Sequence, residues 1–176
     1  NSLSSIKSQE NASIFLNGLY RNSTIDLVDE FLAVSAIRCL VSNNAAHLIP
    51  IHFIEAGVNS RNMTMKEACY LSASKMADEG VKLSKELLQR FIYEWHDVNL
   101  AGIAVVSACK NFENAEFVLH NLYNGNLPSN DLTVRIFIQI AKHQKLRQKV
   151  KEAINKFIIS SPSPKITEAL EKIQNL

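Results

Sequence analysis

Histidine and cysteine are the side chains of this 176-residue sequence that could most directly support metal or nucleophilic chemistry. The two closest histidines, His47 and His52, are five residues apart, which does not place both on one helical face as an i, i+4 metal pair requires. The three cysteines, Cys39, Cys69 and Cys109, are odd in number, far apart and without a C-x-x-C pair. We therefore expect no metal site, no cofactor and no disulfide framework, and a reducing compartment.

Motifs of catalysis and of membrane insertion are also missing from the sequence. It contains no Gly-rich phosphate loop, no G-x-S-x-G elbow and no paired-carboxylate motif, so we expect a protein that is not an enzyme. The net charge of +2 is mild and excludes the strong positive field of a histone-like protein. No apolar run approaches the roughly 20 residues needed to cross a bilayer, so no membrane insertion is expected. Because residue 1 is Asn and not Met, we expect a fragment or a processed form, with any targeting segment outside it.

A regularly spaced set of basic side chains is the remaining candidate for chemistry. A short signature recurs about every 35 residues and centres on four landmark residues, Ala36, Ala73, Ala108 and Ile140. Two residues after each landmark stands a basic residue, and these form the basic series: Arg38, Lys75, Lys110 and Lys142. At this interval the four side chains would form a ladder suited to following a phosphate backbone. The alternative is that each cation only favours the C-terminal end of a helix dipole.

The period and the composition predict the elements that hold this series. With 47% hydrophobic residues, 5 Gly and 4 Pro, the chain has too few turn residues for a protein of many short strands. A repeat of this length is typical of stacked helical hairpins. We predict one all-α domain over 1–176, an α-solenoid of stacked antiparallel helical hairpins. Its predicted units are a partial unit 1–28, repeats 29–63, 64–98, 99–130 and 131–165, and a terminal helix 166–176.

Local signals predict where the helices begin and end. The residues expected to cap the first helices of three repeats are Thr64, Asn99 and Asp131. Pro50 is expected to kink a helix that ends at Gly57 in a left-handed stop. Gly80 is expected to separate the first helix of its repeat from a longer helix over 81–95. Cys109 is expected to be buried and inert.

The spacing of small residues resembles that of the pentatricopeptide repeat. Ala36 is followed ten residues later by Ala46 and eleven residues after that by Gly57, and a Gly-x-x-Pro-Asp-like ending occurs at 125–130 and at 161–165. The resemblance covers 29–165. It implies single-stranded RNA binding in an organelle, with one nucleotide per repeat read by a residue early in the first helix and by the last residue of the repeat.

The resemblance also implies which residues would read bases. The first reading position lies four residues before each landmark and is apolar or nearly so in all four copies: Leu32, Cys69, Ala104 and Ile136. The second reading position is polar in three copies, Thr64, Asn99 and Asp131. Lys165 departs from that pattern.

Two functions are therefore open at the level of sequence. The first is an RNA-binding helical-repeat module that acts in RNA stability, processing or translation, expected in the mitochondrion and otherwise in the cytoplasm or nucleus. The second is a helical-repeat scaffold without a nucleic-acid role, which grips a partner protein helix in an apolar groove formed by the first reading positions. A basic stretch at 142–156 could hold phosphates or an acidic partner, or be the solvated face of a helix.

Overall fold

The computed structural model describes residues 9–19, 27–95, 99–123, 131–160 and 164–174, and across these residues the chain is helical and contains no strand. The all-α class predicted from the sequence is confirmed. The ten α-helices of this part of the chain are α1 (Gln9–Leu19), α2 (Leu27–Ser42), α3 (Ile51–Gly57), α4 (Met63–Asp78), α5 (Lys85–Glu94), α6 (Asn99–Ala108), α7 (Phe112–Tyr123), α8 (Asp131–Ala141), α9 (Arg147–Ser160) and α10 (Pro164–Gln174). Short 3-10 helices, Ala46–Leu48 and Gln144–Leu146, precede α3 and α9.

The chain divides into two compact units, an N-terminal unit of residues 1–83 and a C-terminal unit of residues 84–176. The boundary lies inside the predicted repeat 64–98, between α4 and α5. In the N-terminal unit α2 packs on α1 and α4, and α3 packs on α4. In the C-terminal unit α6 packs on α5 and α8, α5 on α7, and α10 on α8 and α9. Each unit thus repeats the packing of one helix on the helix two places later, while the solenoid of hairpins remains a prediction.

The landmark residues lie on the first helices, the name we use for α2, α4, α6 and α8. Ala36 is near the middle of α2 and Ala73 is in the second half of α4, whereas Ala108 is the last residue of α6 and Ile140 the last but one of α8. All four are fully buried: Ala36, Ala73, Ala108 and Ile140. Small neighbours extend this packing, since a Cβ added at Gly102 of α6 would lie 2.6 Å from Leu132 Cδ1 of α8. Small side chains at these positions let neighbouring first helices approach closely.

Side-chain caps fix several helix starts and correct two of the predicted ones. Asn62, not Thr64, caps α4, because its Oδ1 accepts a hydrogen bond from the Thr64 N–H at 3.0 Å. The predicted helix over 81–95 begins only at Lys85, since Ser84 Oγ accepts from the Leu87 N–H at 3.2 Å. Asn99 and Asp131 are the first residues of α6 and α8.

Two further expectations about proline and glycine are wrong. Pro50 does not kink a helix: it is the N-cap residue of α3, a position that needs no N–H donor. Gly57 is the last residue of α3 and is not a left-handed stop, because the described residues with positive φ are Asn44 and Gly80. An added Cβ at Gly57 would overlap Cys69 Sγ, so the close approach of α3 to α4 favours glycine there. The predicted Gly-x-x-Pro-Asp-like ending at 125–130 and residues 161–163 of the other lie outside the described residues.

Candidate nucleic-acid interface

All four members of the basic series are exposed, although the landmark two residues earlier in each case is buried. Arg38 lies one turn before the end of α2, and Lys75 lies in the last turn of α4. Lys110 follows the end of α6 by two residues, and Lys142 directly follows α8. The series therefore marks the C-terminal ends of the first helices, where helix carbonyls favour cations.

In the C-terminal unit a histidine joins the two helix ends that carry the basic series. The His143 Nε2 lies 2.7 Å from the Cys109 backbone oxygen, and the Phe112 ring meets the His143 ring edge-on with centroids 5.7 Å apart. Lys110 follows Cys109 and Lys142 precedes His143, so this contact brings the backbones of both lysines together. The pair is consequently held at one end of the packed helices α6 and α8.

Further basic side chains lie near Lys142 at the end of α8. The Lys142 ammonium donates to the neutral amide oxygen of Gln139 at 2.9 Å, so this contact leaves its charge unneutralised. Arg147 Nε donates to the Ala141 backbone oxygen at 3.2 Å, and Lys145 is exposed. These cations belong to the basic stretch 142–156, and their position beside Lys142 favours anion binding at this end of the C-terminal unit.

In the N-terminal unit the corresponding connection is made by a carboxylate. Glu79 accepts hydrogen bonds from the backbone N–H groups of Ala46 at 3.1 Å and His47 at 2.8 Å, and its Oε2 lies 2.6 Å from His47 Nδ1. Desolvation raises the pKa of Glu79, but the hydrogen bonds from His47 and Ala46 outweigh it and hold the pKa below its usual value. The ionised carboxylate lies four residues after Lys75, and residues at this spacing lie on one side of a helix or its end.

The two predicted sets of site residues lie at opposite ends of the first helices. Thr64, Asn99 and Asp131 are exposed near the N-terminal ends of α4, α6 and α8. Each lies eleven residues before its member of the basic series, a separation of about 16 Å at the helical rise of 1.5 Å per residue. The structure thus does not bring the polar set and the basic series into one site.

Three of the four first reading positions are buried in the protein interior. Cys69, Ala104 and Ile136 are fully buried, and Leu32 is half-buried. Burial also raises the pKa of the Cys69 thiol, with a further contribution from the nearby Glu30 carboxylate. Cys109 is fully buried, as predicted, and this burial raises the pKa of its thiol. These four positions therefore do not form an open apolar groove.

Sequence reasoning missed the two side chains that connect the helix ends, Glu79 and His143. Each reaches a partner about one repeat period away, 33 residues for Glu79 to Ala46 and 34 for His143 to Cys109. The Ser13 Oγ, which donates to the Leu48 backbone oxygen at 2.7 Å, spans 35 residues. Because each partner is a backbone atom, the sequence carries no signal that would have identified these contacts.

Two further findings concern the described residues as a whole. In the parts of the chain that the structure describes, no helix is both long and apolar enough to cross a membrane. Within the same residues no group of three or more His, Cys, Asp or Glu side chains could hold a metal ion.

Comparisons of the chain with protein-family models, with curated proteins and with solved structures give no match.

Proposed function

We propose that this chain is an RNA-binding module of stacked, pentatricopeptide-like helical hairpins, which holds single-stranded RNA through its phosphates. The observation that supports it is the exposure of all four cations of the basic series at or near the C-terminal ends of the first helices. Packed helices lie about 8–10 Å apart, close to the Debye length at physiological salt, so the fields of two cations on neighbouring helices add. On the family resemblance, the module acts in mitochondrial RNA stability, processing or translation.

Burial of the first reading positions limits what such a module recognises. Cys69, Ala104 and Ile136 cannot contact a base from the protein interior. The polar set at the other helix ends lies too far from the basic series to read the base of the same nucleotide that the cations hold by its phosphate. We therefore expect binding with little sequence preference and strong dependence on salt.

The second function left open by the sequence loses its stated support. A scaffold that grips a partner helix at the first reading positions needs those residues at the surface, and three of the four are buried. Phosphate binding by the basic series therefore remains the better-supported function.

Fluorescence anisotropy with labelled single-stranded oligonucleotides over several salt concentrations tests the proposal. The logarithm of the binding constant should fall with the logarithm of salt by about 0.7 for each phosphate neutralised. A variant with Arg38→Glu, Lys75→Glu, Lys110→Glu and Lys142→Glu should abolish binding, whereas the control Lys172→Gln, on α10, should bind as wild type. No binding at low salt, or undiminished binding by the fourfold variant, would refute the proposal.

A further inference from the structure

The C-terminal unit contains a groove whose lining includes no residue of the basic series. It has a volume of about 760 Å³, which is in the range of ligand-binding pockets. Its lining comes from α5, from one face of α7, and from the start of α9 with the 3-10 helix before it. On α7 the lining residues Glu113, Glu116, Phe117 and His120 recur at three- and four-residue spacing, so they share one helical face.

The floor of this groove is apolar and its rim is charged. Leu119 and Leu146 are buried beneath it, and Phe117 is half-buried. Lys85 and Lys149 supply two positive charges to the lining, and three glutamates supply the negative ones: Glu113, Glu116 and Glu152. Carboxylates exceed ammonium groups by one when His120, which also lines the groove, is neutral, and this balance favours a cationic ligand over an anionic one.

The contacts that Lys85 and Lys149 make in the groove indicate how a cationic ligand would bind there. The Lys85 ammonium lies over the Phe117 ring, 5.9 Å from its centroid, which is cation–π geometry. Lys149 Nζ lies 3.8 Å from Glu116 Oε1, and the two side chains are 64% and 54% exposed. Exposed contacts of this kind are weak, so an incoming ammonium or guanidinium group can take the place of either lysine.

We propose that this groove binds a basic helical segment of a partner protein, with a Lys or Arg side chain over Phe117 and the carboxylates of Glu116 and Glu152 beside it. The apolar floor receives the aliphatic part of the segment. Lys85 and Lys149 occupy the two cation positions when the segment is absent. This site is separate from the proposed RNA contacts and serves a different partner.

The test is a polarisation titration of the whole chain with a fluorescein-labelled helical peptide of alanine, leucine and lysine. A second peptide, in which glutamate replaces every lysine, is the control ligand. We expect saturable binding of the lysine peptide, at least about tenfold tighter than that of the glutamate peptide. No saturation by about 1 mM, or equal binding of the two peptides, would overturn the proposal.

Three substitutions test whether the peptide binds in the groove. Phe117→Leu, which keeps an apolar side chain but removes the aromatic face, should weaken binding about threefold. Lys85→Ala should strengthen it about twofold, because it removes the cation that competes for the ring. Tyr93→Leu, at an exposed aromatic residue of α5 outside the groove, should leave binding unchanged. Equal affinities of Phe117→Leu and wild type, or weaker binding by Lys85→Ala, would contradict the assignment.

Competition separates this site from the RNA proposal and from small cations. Lys110→Gln with Lys142→Gln should leave peptide binding unchanged, and Phe117→Leu should leave oligonucleotide binding unchanged. Displacement of the peptide by an oligonucleotide would place RNA in the groove and overturn the proposal. Spermidine that binds more tightly than the peptide would assign the groove to small polycations and would overturn it as well.

Discussion

The N-terminal and C-terminal units each connect consecutive first helices through a polar side chain. This side chain is a carboxylate in the N-terminal unit and an imidazole in the C-terminal unit. In the N-terminal unit the Glu79 carboxylate accepts from two N–H groups at the start of a 3-10 helix. In the C-terminal unit the His143 imidazole meets a backbone oxygen at the end of α6. The landmarks are buried in both units, whereas the polar connections differ. Apolar packing therefore defines the repeat, and each unit has its own way of satisfying backbone groups at helix ends.

This difference changes the charge around the basic series. Lys75 stands four residues from a carboxylate that stays ionised, while Lys142 is followed by an imidazole and by two further basic residues, Lys145 and Arg147. We therefore expect Glu79 to weaken the positive field around Lys75, and Lys145 and Arg147 to strengthen it around Lys142. Anions should prefer the C-terminal unit.

Removing a buried hydrogen bond of the N-terminal unit should have the largest effect. Glu30 of α2 is only 3% exposed; its Oε1 accepts from Ser60 Oγ at 2.5 Å, and its Oε2 has no hydrogen-bond partner among the described residues. Ser60→Ala leaves this carboxylate without its hydroxyl donor, and we expect a loss of about 2–3 kcal/mol in the free energy of unfolding. Urea denaturation measures it, and hydrogen exchange should show faster opening of α2 and α4 than of α6 and α8.

Two further variants check that explanation. Ser60→Ala combined with Glu30→Met removes the contact from both sides, and part of the lost stability should return. The remaining loss belongs to the Asn62 N–H, which donates to Ser60 Oγ at 2.9 Å and loses its acceptor in both variants. Ser35→Ala removes an exposed hydroxyl that bonds to the Phe31 carbonyl within α2, and it should change stability by no more than about 0.5 kcal/mol. If Ser60→Ala behaved like Ser35→Ala, the contact with Glu30 would not stabilise the unit.

Replacing glycine by alanine should lower the free energy of unfolding by different amounts in the two units, and by less than Ser60→Ala does. An added methyl group at Gly57 meets Cys69 Sγ at 2.3 Å and Met65 Cε at 2.8 Å, whereas at Gly102 it meets the end of one flexible side chain, Leu132. We expect Gly57→Ala to lower the free energy of unfolding by about 2 kcal/mol. Gly102→Ala should stay within about 1 kcal/mol of wild type, since better helix propensity offsets the shift of Leu132.

The control for both is Gly18→Ala in α1. A methyl group there meets nothing within 4 Å, so the gain in helix propensity should stabilise the protein by about 0.5 kcal/mol. Thermal denaturation of the three variants gives the ranking. Equal losses for Gly57→Ala and Gly102→Ala would show that the two close approaches are equally tolerant.

The outcome at Gly57 also shows what the sequence could and could not predict. Helical class, the burial of Ala36, Ala73 and Ala108, and the exposure of the basic series follow from periodicity, because they depend on which face of a helix is apolar. The sequence does not show why residue 57 is a glycine, because a left-handed turn and a close approach of two helices both require glycine. The backbone φ of Gly57, which is not positive, and the contact with Cys69 distinguish them.

The side-chain connections between helix ends could not be predicted from the sequence, for a related reason. Glu79 lies six residues after its landmark Ala73, and His143 lies three residues after Ile140. Their positions relative to the period differ, and their partners are backbone atoms, which carry no sequence signal. The exposed cations could be predicted from sequence, but the surroundings that distinguish Lys75 from Lys142 required the structure.

Protonation of Glu79 should destabilise the N-terminal unit in acid. Because its pKa is lowered in the folded protein, its contribution is complete above the unfolded value of about 4.3 and disappears as pH falls through the folded value. Glu79→Gln should lose about 1 kcal/mol at neutral pH, since the amide keeps one acceptor. The difference from wild type should vanish at low pH, and Glu67→Gln, at an exposed carboxylate on α4, provides the control in urea denaturation.

The smallest effect expected is the difference in RNA affinity between the cation pairs of the two units. Exposed ion pairs contribute less than about 1 kcal/mol each, so Lys110→Gln with Lys142→Gln should weaken binding of a single-stranded oligonucleotide about fivefold at low salt. Arg38→Gln with Lys75→Gln should weaken it only about twofold, because we expect the ionised Glu79 carboxylate, four residues after Lys75, to reduce the positive field of that pair. Adding Glu79→Gln to wild type should then raise affinity slightly, and adding it to the Arg38→Gln, Lys75→Gln variant should not. If both double variants lost the same affinity, neighbouring charge would not distinguish the units, and the basic series would act as four equivalent phosphate contacts.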